Sequence, residues 1–137
     1  MMRVLIDTNV LLAILPRKSP YRPIFDAILA HQVTLVLSNE IVSEYAEIIE
    51  QKTNALVASN IVELLIGLPN TVLQEVFFGW NLITADADDN KFVDCAIASQ
   101  ADFIVTNDKH FKVLAAVEFP KVVVKSLEDF DIIVQNL

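Results

Sequence analysis

Carboxylates recur in this chain at one kind of place, directly after short apolar runs. Val4-Leu5-Ile6 leads into Asp7-Thr8-Asn9, and Phe103-Ile104-Val105 leads into Thr106-Asn107-Asp108. Leu35-Val36-Leu37 leads into Ser38-Asn39-Glu40, with Glu44 a helical turn further on. A fourth acidic stretch, Asp86 to Asp94, begins as a loop and enters a helix, with Asp89 near the helix start and Asp94 a turn inside. Carboxylates gathered without matching Lys or Arg repel one another. They are stabilised by hard divalent cations, and oxygen ligands suit Mg²⁺ or Mn²⁺. One or two such ions activate water and steady the leaving oxygen of a phosphodiester. That chemistry requires no histidine base, and His31 and His110, the only histidines, lack metal-ligand spacing.

Taken singly, each acid also has an ordinary structural reading. An Asp after a strand often caps the next turn or helix, which fits Asp7 and Asp108. Glu40 suits the first turn of a helix, Glu44 a solvated helix face, and Asp86 and Asp88 a solvated loop. Asp94 resists such a reading. It sits among Phe92, Val93, Ala96, Ile97 and Ala98, where a carboxylate is costly unless paired or metal-bound. The recurrence across four segments carries the functional reading.

The elements that must position these acids alternate in kind. Strand-like runs at Val4–Ile6, Val33–Leu37, Phe103–Val105 and Val122–Val124 are nearly continuous in apolar character, as strands covered on both faces are. Thr71 to Val76 reads equally as short strand or loop. Helical spacing marks Pro23–Ala30, Asn39–Lys52, Asn54–Leu68, Asp89–Gln100 and Ser126–Val134. Gly67 and Pro69 form a stop signal after the third of these, and Ser126-Leu127-Glu128-Asp129 resembles a capping box. Strands alternating with helices imply βαβ units, right-handed crossovers and a parallel sheet, hence an α/β fold. In an open parallel sheet the carboxyl ends of the strands share one edge, where the functional crevice forms. Acids far apart in sequence are therefore expected to converge there.

The totals bound the rest. A chain of 137 residues with 54% hydrophobic residues suits one domain over 1–137 that needs no staples. Some of that apolar excess is available to cover a partner as well as a core. The single cysteine, Cys95, excludes an intrachain disulfide and a multi-cysteine metal site, and reads as an inert, semi-buried side chain. Met1-Met2-Arg3 runs straight into a strand-like segment with no signal peptide. No apolar stretch approaches the roughly 20 residues that span a bilayer, so a reducing cytoplasmic setting is expected. The formal charge of −8 argues against nucleic acid, whose phosphates call for a basic surface. The objection weakens if the acids gather at a divalent-cation site, because bound metals invert the local charge.

In their order and spacing the four acidic segments resemble the PIN-domain family, especially the PIN toxins related to VapC of bacterial toxin–antitoxin pairs. The likeness covers nearly the whole chain. It rests on the strand ending in Asp7-Thr8-Asn9, the helix Asn39-Glu40-Ile41-Val42-Ser43-Glu44-Tyr45, the stretch Asp88 to Ser99, and Ala101 to Asp108. The resemblance implies a PIN-like three-layer α/β/α fold with a small twisted parallel sheet. It also implies Mg²⁺- or Mn²⁺-dependent hydrolysis of RNA, frequent homodimers and neutralisation by a cognate antitoxin. Carried over residue by residue, the acidic quartet is Asp7, Glu44, Asp94 and Asp108, with Asp7 the central metal ligand and Asp89 an auxiliary acid just behind. Thr8, Asn9 and Thr106 resemble supporting polar residues, and Ser38 the strand-end serine. Glu40 competes with Glu44 for the place of the helix acid.

Positive surface for RNA is sparse. Arg17, Lys18 and Arg22 follow the first motif, and Lys91, Lys109 and Lys112 flank the later ones; these are candidate phosphate contacts, set against an ordinary solvated role. Trp80, with Phe77 and Phe78, reads as packing ahead of base stacking. Val57, Ile61, Leu64, Leu65 and Ile66 supply either a core face or a dimer and antitoxin face. Two other classes compete with the nuclease. A haloacid-dehalogenase-like phosphatase wants a second Asp where this chain has Asn9. A non-catalytic PIN-like module that binds RNA or a partner would be indifferent to metal removal and to Asp7→Asn.

Overall fold

The computed structural model describes all residues from Met1 to Leu137. Five short strands, β1 (Arg3–Ile6), β2 (Thr34–Leu37), β3 (Thr71–Leu73), β4 (Phe103–Val105) and β5 (Val124–Lys125), pair in the order β3-β2-β1-β4-β5 with every pairing parallel. Val4, Leu5, Ile6, Ile104 and Val105 are completely buried, because helices cover both faces of the sheet and leave no solvated side to alternate toward. Each such side chain contributes roughly 1.5–3 kcal/mol of burial.

The chain grows the sheet from β1 through β2 to β3, then returns to the far side of β1 for β4 and β5. This reversal makes the carboxyl ends of β1 and β4 the topological switch point, where a crevice opens in α/β sheets. Asp7 follows β1 and Thr106-Asn107-Asp108 follows β4, so two of the four acidic segments meet at that point.

Six helices surround the sheet: α1 (Thr8–Ile14), α2 (Arg22–Leu29), α3 (Asn39–Lys52), α4 (Ala55–Gly67), α5 (Asn90–Ser99) and α6 (Leu127–Gln135). Caps set their starts. The Ser38 hydroxyl accepts from the Ile41 amide at 3.3 Å, Asn54 from Val57 at 2.9 Å, and Ser126 from Asp129 at 3.1 Å. These starts agree with the sequence expectation to within a residue. Helix α1 was not expected. Its apolar stripe of Val10, Leu11 and Ile14 is too short to separate from the strand run that precedes it. Strand β5 is displaced from the expected Val122–Val124, because the register pairs Ile104 with Val124 and Val105 with Lys125, the amides of Ile104 and Thr106 donating to the Val123 and Lys125 carbonyls at 2.9 and 3.0 Å. Thr71–Leu73 resolves the ambiguous segment as an edge strand on β2.

One core of 33 buried residues lies against the sheet. Cys95 is part of it at 0% exposure, deeper than expected, and burial pushes its thiol up to about 12, so the reactive thiolate is absent at neutral pH. The α4 face divides: Leu65 is buried, whereas Val57, Leu64 and Ile66 are exposed. Phe77 and Phe78 are also exposed, at 90% and 64%, against the packing expectation. Phe78 stacks edge-on to Trp80 at 4.8 Å in a loop that leaves their outer faces to solvent. No helix is long and apolar enough to cross a membrane.

Candidate active site

Asp7 is the hub of the crevice. Its backbone amide completes the β1–β4 ladder by donating to the Val105 carbonyl at 3.0 Å, and α1 begins at the next residue. Although Asp7 stands in the N-cap position of α1, its side chain makes no capping bond; the ordinary reading of this acid does not hold. Instead its Oδ2 accepts the Thr106 hydroxyl at 2.7 Å, and that same hydroxyl oxygen accepts the Asp108 amide at 3.0 Å. Thr106 thus links the ends of β1 and β4. Asp7 is only 6% exposed. Burial raises its pKa above the ordinary carboxylate range; the Thr106 hydrogen bond works against the rise, and Asp108 and Glu44 reinforce it.

Asp108 keeps its ordinary role as well as its place at the crevice. Its Oδ1 accepts the His110 amide at 2.9 Å, capping the turn Lys109–Ala116. The same Oδ1 lies 3.4 Å from His110 Nδ1, which is also 3.3 Å from Asp89 Oδ2. His110 therefore sits between two carboxylates. Its spacing from the other histidine gives no metal-ligand pattern in the sequence, yet the turn after Asp108 folds it back onto the site. Asp7, Asn9, Asn107 and Asp108 line one recess together. Asn107 is a positioning residue, its Oδ1 accepting the Leu127 amide at 2.9 Å and so docking the start of α6.

The acidic loop enters through a short 3₁₀ turn, Ala87–Asp89, which Asp86 caps by accepting from the Asp88 amide at 3.1 Å. Asp89 is buried. Its carboxyl is pushed up to about 6, first by burial and then by Asp108, with the His110 contact opposing and Asp86 and Asp7 adding smaller repulsions. One oxygen each of Asp86 and Asp89 and a ring nitrogen of His110 all lie within 4.8 Å of one another. Asp88 points instead to the neighbouring cleft.

Helix α3 supplies Glu44. It is held in register by Tyr45, fully buried, whose hydroxyl donates to the Ile6 carbonyl at the end of β1. Glu44 Oε2 accepts the Thr8 hydroxyl, and Oε1 pairs with Lys91 Nζ at 2.7 Å. Its charge reaches Asp7 and Tyr45. Glu40, one turn earlier, is exposed and lines a different cleft; between the two helix acids, the geometry puts Glu44 beside Asp7.

Asp94 departs most from its expected place. Its Oδ1 accepts the Trp80 amide at 3.0 Å, which accounts for a carboxylate on an apolar helix without any metal. It lines a cleft of about 600 Å³ with Ser38, Glu40, Asp88, Asn90 and Lys91, outside the recess of Asp7 and Asp108. Burial and the charge of Glu40 raise its pKa while the Trp80 amide opposes them; Asp7 and Asp108 are not among its perturbers. On the same face of α5, one turn earlier, buried Asn90 bonds both the amide and the carbonyl of Ile83, at 2.9 and 2.8 Å. Together the two side chains fasten the long connection between β3 and α5.

The remaining expected residues divide as follows. Thr8 is buried against Glu44, Ser38 is buried as the α3 cap, and Asn9 is exposed at the crevice rim. Arg17 and Lys18 are exposed just past α1. Arg22 is committed to the fold: it pairs with Asp26 at 3.0 Å, donates to the Leu15 carbonyl and lies 4.9 Å from the Phe25 ring centroid. Lys109 and Lys112 are exposed.

Residues 3–110 match the family model described as a PIN domain. This chain belongs to the PIN-domain family, and the matched range holds all four acidic segments. Among solved structures it is similar to VapBC2 from Rickettsia felis, bound to a DNA fragment from their promoter. The two share 17% identity over 91% of this chain and 98% of that one, with a TM-score of 0.61, a likeness of fold. No curated protein matches the sequence.

Proposed function

We propose that this PIN-domain protein is a Mg²⁺- or Mn²⁺-dependent endoribonuclease and the toxin of a toxin–antitoxin pair. One observation carries the reading: Asp7, Asp89 and Asp108 converge at the β1–β4 switch point, and none of them has a Lys or Arg partner within 4.0 Å. Burial first, and then the charges of the neighbouring acids, raise the pKa values of Asp7 and Asp89, a condition that a hard divalent cation relieves. The donor set that fits such an ion is Asp86, Asp89 and His110, whose ligand atoms lie within 4.8 Å of one another. These would hold it, with Asp7, Asp108 and Glu44 as the neighbouring acids, and when bound it would supply water activation and charge stabilisation at a phosphodiester.

The chain's own residues do the positioning. Thr106 fixes the Asp7 carboxylate through Oδ2, and Thr8 fixes Glu44. Because the Thr106 hydroxyl also accepts the Asp108 amide, one side chain links the two strand-end acids. In this reading Asp89 takes the place in the quartet that the family resemblance assigned to Asp94, and Asp94 serves the loop. A neighbour solved as a VapBC2 pair supports the pairing with an antitoxin, and exposed Val57, Leu64 and Ile66 are the apolar surface available to that partner or to a second copy.

The test is cleavage of a labelled mixed single-stranded RNA by purified protein, with Mn²⁺ or Mg²⁺ against excess EDTA. Asp7→Asn, Asp89→Asn and Asp94→Asn are run alongside. Metal-dependent cutting lost in the first two and retained in the third is the expected result. Folded wild type that binds RNA equally with and without metal and cuts none would establish the non-catalytic module instead.

A further inference from the structure

The acids of the site are not all alike in their charge balance. Asp7, Asp89 and Asp108 meet no ammonium or guanidinium, whereas Glu44 already has one. Lys91 Nζ lies 2.7 Å from Glu44 Oε1, with side-chain exposures of 15% and 21% for the two residues. The other oxygen, Oε2, takes the Thr8 hydroxyl. Both carboxylate oxygens of Glu44 are thus engaged by the protein itself, one of them by a full positive charge. Lys91 is also the only basic residue lining the neighbouring cleft, among Glu40, Glu75, Asp88 and Asp94. It projects from the first turn of α5, directly after Asp89 and Asn90, and pairs with Glu44 from that cleft.

We infer that the Lys91 ammonium is a resident cation filling the Glu44 half of the site, so that the protein takes one divalent ion, at the acids around Asp89, and not two. An ion entering beside Glu44 has to expel a half-buried ammonium from its carboxylate partner. That breaks a desolvated pair and leaves the lysine charge unmatched. The ammonium differs from a metal in being tethered: it is present before substrate arrives and cannot be chelated. The inference rests on the metal-site reading above but concerns stoichiometry, which activity does not report.

Mn²⁺ titration of the whole chain, followed by electron paramagnetic resonance of the free ion, counts the sites. One equivalent is expected for wild type and for Lys91→Arg, and two for Lys91→Met, where Glu44 regains an open carboxylate. Lys91→Gln, which keeps a donor toward Glu44 but not the charge, is also expected to bind two and covers the case in which the Met variant fails to fold. Two equivalents in wild type overturn the inference and leave the nuclease reading standing. So does a single equivalent, at unchanged affinity, in folded Lys91→Met and Lys91→Gln. No binding by wild type removes the metal site and both readings with it.

Discussion

Two acidic recesses flank the first turns of α5, and they use carboxylates in opposite ways. At the β1–β4 switch point, the charges of Asp7 and Asp108 reach Asp89, with a histidine between Asp89 and Asp108 and no Lys or Arg paired to any of the three. In the outer cleft, Asp94 spends its charge on the Trp80 amide while Glu40 and Asp88 lie open to solvent. Asp89 and Asp94 are five residues apart in sequence, yet the side chain of the first meets His110 and that of the second fastens a loop amide. Acid content alone distinguishes nothing here; what separates the recesses is whether the fold has already supplied each carboxylate with a donor.

The sharpest way to break that comparison is substitution in the two recesses. Asp7→Asn and Asp89→Asn are each expected to lower Mn²⁺-dependent RNA cleavage by more than the roughly 10–100-fold typical of losing an outer-shell partner of a metal site. Asp94→Asn is expected to keep activity within about threefold of wild type, since its amide oxygen still accepts from Trp80. Equal losses at Asp89 and Asp94 in single-turnover assays would merge the two recesses into one site.

A pH series sharpens it further. The folded pKa of Asp89, about 6, lies above the ordinary value of 3.8. The native state therefore holds this proton more tightly than the unfolded state does. Its contribution to the stability of metal-free protein is complete below about pH 4 and is lost as pH rises through about 6. Subtracting Asp89→Asn from wild type in urea melts across pH 4–7 isolates this term, and metal-free Asp89→Asn is expected to be the more stable protein at pH 7. Mn²⁺ should reverse that order by stabilising wild type alone. A flat difference across the series would contradict the burial of this carboxyl beside Asp108.

On the other side, Asp94→Ala leaves the Trp80 amide without its acceptor. It is expected to cost about 1–3 kcal/mol, read from denaturant midpoints, with faster proteolysis in the loop before Asp86. The smallest effect concerns substrate approach. Arg17 and Lys18, exposed past the end of α1, are expected on double alanine substitution to weaken RNA binding a few-fold and to reduce its salt dependence by about one to two phosphate contacts. Arg22→Ala acts on stability instead, because its guanidinium is already bound within the fold.

Much of this molecule was legible in its residues. The continuous apolar runs at Val4–Ile6 and Phe103–Val105 require strands buried on both faces. The Ser38, Asn54 and Ser126 caps set three helix starts, because a side-chain oxygen two or three residues ahead of an unpaired amide is a local signal. The placement of Asp7 and Asp108 at one sheet edge follows from those strands being parallel. By contrast, Asp94 looked functional because an acid among Phe92, Val93 and Ala96 has no local partner; its partner, the Trp80 amide, is 14 residues away in a loop with no periodicity. His110 looked idle because its two carboxylates come from different segments, brought together only when the turn after β4 folds back on the start of α5. Residue type and local spacing determined which acids exist and which strand ends carry them. Which acids remain unpaired was decided by the tertiary structure, because a hydrogen-bond donor contributed by a distant backbone leaves no trace in the sequence around the acid it satisfies.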